Sequence, residues 1–240
     1  MTAREIYVGA GAIVLVIVGL TLHEWAHAAV ANLRGDDTAK REGRLTLNPL
    51  VHMHPLWTVV LPVFSYFVLP MLAPVAPVVF GGARPVPIVP SNLKYPWVDL
   101  ALASAAGPAV NLLLAGLLLV VDEVYRSSTG HSAESILSGA LRQGAFFNLL
   151  LFLFNLIPVP PLDGSRIVAP LLPGPLRGPY LALAPVGILV VVVVMAFGPR
   201  LGLPSAGNWI FQTTSDLYDE VEGHVRQLLR AVGVPLVKGR

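Results

Sequence analysis

The chain has no cysteine, which excludes disulfides and any metal site built on thiolates. Charge is scarce too: Asp, Glu, Lys and Arg make up 12% of the 240 residues, against about 25% in soluble domains. The formal net charge is only +2 and no Lys/Arg run forms a patch, so the pI near 9.1 is no argument for nucleic acid as a partner. No clear cleavage site follows the first apolar run, which therefore reads as a retained helix rather than a leader. Internal repeats and low-complexity tracts are missing. What is present is apolar. Hydrophobic residues reach 55%, mean hydropathy is +0.70, and several runs approach the roughly 20 residues that cross a bilayer as a helix. This is the composition of a polytopic membrane protein, with the lipid bilayer as its surroundings.

The first apolar run, residues 6–31, contains His23-Glu24-Trp25-Ala26-His27. Residues four apart share one face of a helix, so His23 and His27 point the same way and can hold one zinc ion. Glu24, one position on, can serve as general base toward the water that such a metal activates. Three ionisable side chains within one turn of an apolar helix are costly in lipid, which makes a functional reading the default. Gly9, Gly11 and Gly19 would let other backbones approach this helix.

After it comes the densest basic loop of the first half, with Arg34, Lys40, Arg41 and Arg44. The positive-inside rule puts this loop in the cytoplasm and Met1 outside. Residues 43–50 alternate and suit a short strand or hairpin. His52 and His54 read as polar residues at a membrane edge. Residues 57–80 are apolar but broken by Pro62, Pro70, Pro74 and Pro77, and proline kinks or ends helices. Residues 81–90 read as extended and turn-rich. Residues 98–121 form a second span, with a kink at Pro108 and a buried Asn111. A polar loop covers residues 122–140. Residues 141–158 form a third span, ending in a proline cluster that unwinds it before Asp163 and Gly164. Asp163 is the best-placed carboxylate to be a third zinc ligand. Residues 179–197 are a last apolar span, kinked at Pro185. In residues 208–232, apolar side chains recur at helical spacing between charges, as in an amphipathic helix lying on the membrane or on the protein.

Three separated motifs together resemble the site-2 protease family of intramembrane zinc metalloproteases, in its compact prokaryotic branch. They are His23-Glu24-Trp25-Ala26-His27, Gly107-Pro108-Ala109-Val110-Asn111, and the stretch from Asn155 through Asp163 to Gly164. Residues 43–49 and 84–89 share the resemblance. It implies that His23, His27 and Asp163 bind one zinc ion per chain and that Glu24 is catalytic. It implies that Asn155 contacts substrate backbone or the transition state, and that Asn111 supports the core. The implied substrate is a transmembrane segment of another protein. Compact members usually carry Asp where this chain has His54. No PDZ-like insert or nucleotide-sensing module is expected.

The expected fold is an all-α polytopic membrane protein with a three-helix catalytic core, a broken membrane-embedded hairpin over residues 57–80, an additional C-terminal span and short extended segments. The expected division is a membrane-embedded metalloprotease domain over residues 1–200 and an amphipathic tail over 201–240. The hairpin follows from parity, which leaves re-entry or a double crossing, together with Pro62, Pro70 and Pro74, which favour re-entry. A single crossing by residues 57–80 would put Asp163 on the opposite side from His27, and ligand bonds of about 2 Å forbid that. The protein is expected in the cell membrane, its active site opening toward the cytoplasm; the sequence leaves the oligomeric state open. A metal transporter and a non-proteolytic scaffold of the same fold are the alternatives, since intramembrane His and Asp also mark ion pathways.

Overall fold

The computed structural model describes residues 2–68, 71, 81–130, 135–197 and 206–236. Among these residues every regular element is helical. Three helices are long and apolar enough to span a membrane: α1 (Ala3–Leu33), α2 (Pro96–Thr129) and α3 (Ile136–Asn155). A capping box formed by Thr2 and Glu5 starts α1, satisfying backbone donors that a helix start leaves free. Large apolar side chains such as Val14, Leu113 and Leu117 are exposed on α1 and α2. Lipid solvates such a surface, whereas water would penalise it.

The three helices form the core. His27 of α1 meets Ala103 of α2 and His23 meets Asn111, so the two run antiparallel. Leu15 meets Gly144 of α3 and Val8 meets Gly139, so α1 and α3 run parallel. Small residues allow the close approach: a Cβ on Gly11 would lie 2.7 Å from that of Ala140, and one on Gly19 would strike Asn148.

Residues 55–68 form one short apolar helical stretch, with π-helical turns on either side of Leu61–Val63. Fourteen residues cover about 21 Å, less than the roughly 30 Å of a hydrocarbon core. The chain then returns to the end where it left. The Gly82 N–H donates to the Trp57 carbonyl at 3.0 Å, and Thr58 Oγ1 donates to the Gly82 carbonyl at 2.6 Å. The ends of the expected hairpin therefore meet, and α1, α2 and α3 bring His27 and Asp163 to one end of the bundle. Residues 69–70 and 72–80 of that expectation lie outside the described residues.

Four expectations are corrected. Residues 43–50 form no strand: bends lead into the short helix Pro49–His52, capped by the Asn48 side chain. A lone strand would need a ladder partner, and here side chains satisfy the backbone instead. Residues 122–129 are no loop but the last turns of α2, which runs through Pro108 without a break in its assigned span. Past α3 the chain forms α4 (Asp163–Val168), α5 (Gly174–Leu181) and α6 (Ala184–Phe197). The break between α5 and α6, a bend of 49°, falls before Pro185 rather than at it. Pro185 sits in the first turn of α6, where a missing N–H costs nothing. His52 is buried rather than at a polar edge.

The last helix, α7 (Ala206–Ala231), packs on the protein. Phe211 and Tyr218 lie against Phe146 of α3, and Val225 and Leu229 join Leu118, Leu119 and Leu141 in a common apolar cluster.

Candidate metal centre

His23 and His27 lie on consecutive turns of α1, with ring centroids 4.5 Å apart and planes near perpendicular. Asp163 is brought over them by the turn that ends α3. Gly164 makes that turn possible: a Cβ there would lie 2.6 Å from the Ile157 carbonyl oxygen and run into that of Leu156. Gly107 of α2 does the same on the other side, since a Cβ there would sit 2.7 Å from His23 Cε1 and strike the His27 ring. The Nε2 atoms of His23 and His27 are 2.9 Å apart, and each is 3.2 Å from Asp163 Oδ2. All three residues are buried.

The far side of each ring decides what the near side can do. His27 Nδ1 lies 2.7 Å from the Ala103 carbonyl, which can only accept, so Nδ1 carries the proton and the lone pair of the neutral ring sits on Nε2. His23 Nδ1 lies 3.2 Å from Asn111 Oδ1, with the same consequence. Three electron-rich atoms then face one another at 2.9–3.2 Å, and no Lys or Arg pairs with Asp163 among the described residues. Such a donor set fits a small cation. Tetrahedral zinc with bonds of about 2.0–2.1 Å sets its ligand atoms roughly 3.3 Å apart, a few tenths from what is seen. Partners that hold the outer nitrogen of a ligating imidazole are a regular part of such sites.

Glu24 is buried beside this group, and its Oε2 accepts the Val86 N–H at 2.9 Å. Asn111 is fully buried against His23, and its Nδ2 has no partner among the described residues. Asn155 is not brought into hydrogen bonding with the three. It is the last residue of α3, and its Nδ2 donates to the Leu151 carbonyl at 3.0 Å. His52 is a loop staple: its Nε2 meets the Thr46 carbonyl at 2.8 Å and its own carbonyl accepts the Arg84 N–H at 2.7 Å. His54 is exposed, and its backbone pairs with Thr58 at the start of the hairpin. The Ala103 carbonyl and the Val86 N–H were invisible to sequence reasoning because backbone atoms leave no signature in residue type. A cavity of about 200 Å³ has Ile88, Leu100, Pro161 and Ser165 among its walls, and none of His23, His27 and Asp163 lines it.

The class this arrangement defines is a membrane-embedded His/His/Asp centre with a carboxylate beside it. Comparison with known proteins agrees with that class. The family model for Peptidase family M50 matches residues 121–198. The "Putative zinc metalloprotease YwhC" of Bacillus subtilis is 40% identical over 191 residues, covering 76% of this chain and 78% of that protein. The "Putative zinc metalloprotease Rip2" of Mycolicibacterium smegmatis is 31% identical over 220 residues, covering 87% of this chain and 74% of that protein. No solved structure matches the chain. The chain belongs to peptidase family M50, the site-2 protease family.

Proposed function

We propose that this protein is an intramembrane zinc metalloprotease that hydrolyses peptide bonds in or near transmembrane segments of other membrane proteins. The observation that carries the reading is the meeting of two histidine Nε2 atoms and one aspartate oxygen, all buried and all within 3.2 Å, at one end of a bundle of apolar helices. The names of the relatives support zinc as the metal. His23, His27 and Asp163 would hold it, one ion per chain, and bound zinc would supply Lewis-acid activation of water and of the scissile carbonyl.

The other steps belong to the chain's own groups. Glu24 takes a proton from the attacking water at its free carboxylate oxygen while Oε2 stays on the Val86 N–H. The water oxygen bonds to the scissile carbon, the C–N bond breaks, and Glu24 returns the proton to the departing amine. Asn111 and the Ala103 carbonyl keep both imidazoles in the tautomer that presents Nε2. Asn155, whose amide rests on the Leu151 carbonyl, would release it to support substrate backbone. The cavity beside Ser165 offers room for an apolar substrate side chain. Residues 1–200 would form the protease domain and 201–240 its tail. Lys40 and Arg41 near the metal end favour a site opening to the cytoplasm of a cell-membrane protein.

Substrate trapping in native membranes tests this. Glu24→Gln should accumulate uncleaved membrane proteins that the wild type converts to fragments. An identical fragment pattern from the two forms would refute the proposal.

A further inference from the structure

We infer that Arg44 is a positioning residue for the Glu24 carboxylate, acting through the peptide group between Pro85 and Val86. The inference rests on the protease reading, because it concerns the group proposed to move the proton.

The extended segment 81–89 has no strand partner among the described residues, and side chains and loops hold it instead. The Arg84 N–H goes to the His52 carbonyl, and the Val89 N–H to Asp36 Oδ2 at 2.6 Å. Between these anchors lies Pro85-Val86-Pro87. Proline has no N–H, so Val86 supplies the only backbone donor of the three, and that donor is spent on Glu24. The two carbonyls just before it are both taken by Arg44. Its Nη1 donates to the Pro85 oxygen at 2.6 Å and its Nη2 to the Arg84 oxygen at 2.9 Å.

The Pro85 C=O and the Val86 N–H belong to one planar trans peptide, in which oxygen and hydrogen point to opposite sides. Arg44 therefore grips one side of that peptide and Glu24 the other. A cation on the oxygen and an anion on the hydrogen polarise the same unit in the same direction, which strengthens both bonds. A guanidinium fork holds two acceptors in one rigid plane, a fixed geometry that the three rotatable donors of an ammonium lack. Arg44 is buried although it sits in a polar loop with no carboxylate hydrogen bond of its own among the described residues. Burying a cation against two carbonyls is costly for a mere loop staple. Holding the carboxylate of a general base in one place gives the cost a purpose. Misplacement of a reacting group by 1 Å is enough to cost on the order of 100-fold in rate.

The test uses the full chain in detergent, valine-labelled with ¹⁵N, with β-casein as the cleavage probe. Arg44→Gln should shift the Val86 amide resonance toward its position in Glu24→Gln. It should lower kcat on casein roughly 10-fold to 100-fold, the usual scale for removing a supporting partner, with KM and zinc content held. Arg44→Lys should recover part of the loss. Should Arg44→Gln fail to fold, an amide-to-ester change at Val86, which removes that N–H and weakens the Pro85 carbonyl as an acceptor for Arg44, carries the same kcat expectation. An unmoved amide resonance, an unchanged kcat, or a kcat that falls only in step with zinc content overturns the inference. A wild type no better than Glu24→Gln on casein overturns the protease reading instead. A wild type that cleaves, beside an Arg44→Gln form that cleaves equally, overturns this inference alone.

Discussion

Both ends of the bundle bury ionisable groups, yet they are built on opposite rules. At the metal end, His23, His27 and Asp163 turn three electron-rich atoms toward one another at 2.9–3.2 Å, with no protein cation on Asp163 among the described residues. At the far end, Asp122, Glu123 and Glu222 interleave with Arg126, Arg142 and Arg226. Arg142 bonds Glu222 through both terminal nitrogens at 2.9 and 3.1 Å, and Arg226 reaches Glu123 at 3.5 Å. Arg126 lies 3.4 Å from Glu123, and Ser138 Oγ donates to Asp122 at 2.5 Å. Three carboxylates meet three guanidinium groups, and the group needs no outside ion. Helix length explains why it can exist at all. The 34 residues of α2 extend about 51 Å, well beyond a hydrocarbon core of roughly 30 Å, so its last turns have room to stand clear of the lipid. Burial of charge is common to both ends; only unbalanced lone pairs mark a site for a ligand.

The sharpest way to break the comparison is to remove one charge at each end. Asp163→Asn should empty the metal centre and lower proteolysis by roughly 1,000-fold or more, the scale of losing a catalytic group. It should leave the unfolding midpoint of the metal-free chain almost unmoved. Zinc analysis by mass spectrometry and a thermal melt in detergent check the two halves. Arg126→Met should do the reverse. It removes one of two cations from each of Asp122 and Glu123, leaving Arg142 at 3.6 Å and Arg226 at 3.5 Å, so the loss should be a part of the about 3–5 kcal/mol that breaking a buried pair costs. Folded protein should still bind zinc in full. Loss of zinc from folded Arg126→Met, or a large stability loss in metal-free Asp163→Asn, would erase the distinction.

The two ends also differ in how much the sequence revealed. His23 and His27 were legible because four-residue spacing on a helix is a local property, and their setting in an apolar run made them costly. Asp163 was legible once the site needed a third ligand and a proline-broken helix offered a carboxylate. The return of the chain to the same side followed from parity, and the prolines favoured a hairpin over a double crossing. Asp122, Glu123 and Arg126 read as a loop because charge beyond an apolar run ordinarily means solvent. Arg226, the partner of Glu123, lies about a hundred residues away on α7, and nothing local announces the pairing. The bends at residues 43–50 were missed for a related reason. Alternation suggests a strand, but whether a second strand is present to pair with it is a tertiary fact. Here Arg44 takes up the backbone acceptors itself.

A smaller change sharpens the picture of the far end. Tyr218 is buried under Arg142, whose guanidinium lies 5.6 Å from the ring centroid, and its hydroxyl has no hydrogen-bond partner among the described residues. A buried hydroxyl without a partner costs about 1–3 kcal/mol. Burial, first, pushes its pKa well above the ordinary tyrosine value, although the Arg142 charge pulls it down. Tyr218→Phe keeps the ring under Arg142 and removes only the hydroxyl. It should stabilise the protein by roughly 1 kcal/mol, read as a raised unfolding midpoint at unchanged zinc content. A loss of stability would mean that the hydroxyl holds the ion group together.

The smallest effect expected belongs to the metal end, in the loop that anchors the extended segment. Asp36 accepts from Thr38 Oγ1 at 2.5 Å, from the Val89 N–H at 2.6 Å and from Asn92 Nδ2 at 3.1 Å. Burial alone would raise its pKa, but these donors outweigh it and hold the carboxyl below the ordinary value of 3.8. The folded form therefore binds its proton less readily than the unfolded chain. Its contribution to stability is fully present above 3.8 and is lost as pH falls through the depressed folded value. Asp36→Asn should thus lower the unfolding midpoint slightly at neutral pH, and the gap to wild type should close as acid is added. Because Val89 is three residues from Val86, the same variant should loosen the peptide that holds Glu24, and hydrogen exchange at Val86 should quicken at neutral pH. A gap that widens in acid would show that Asp36 is held by something other than its charge.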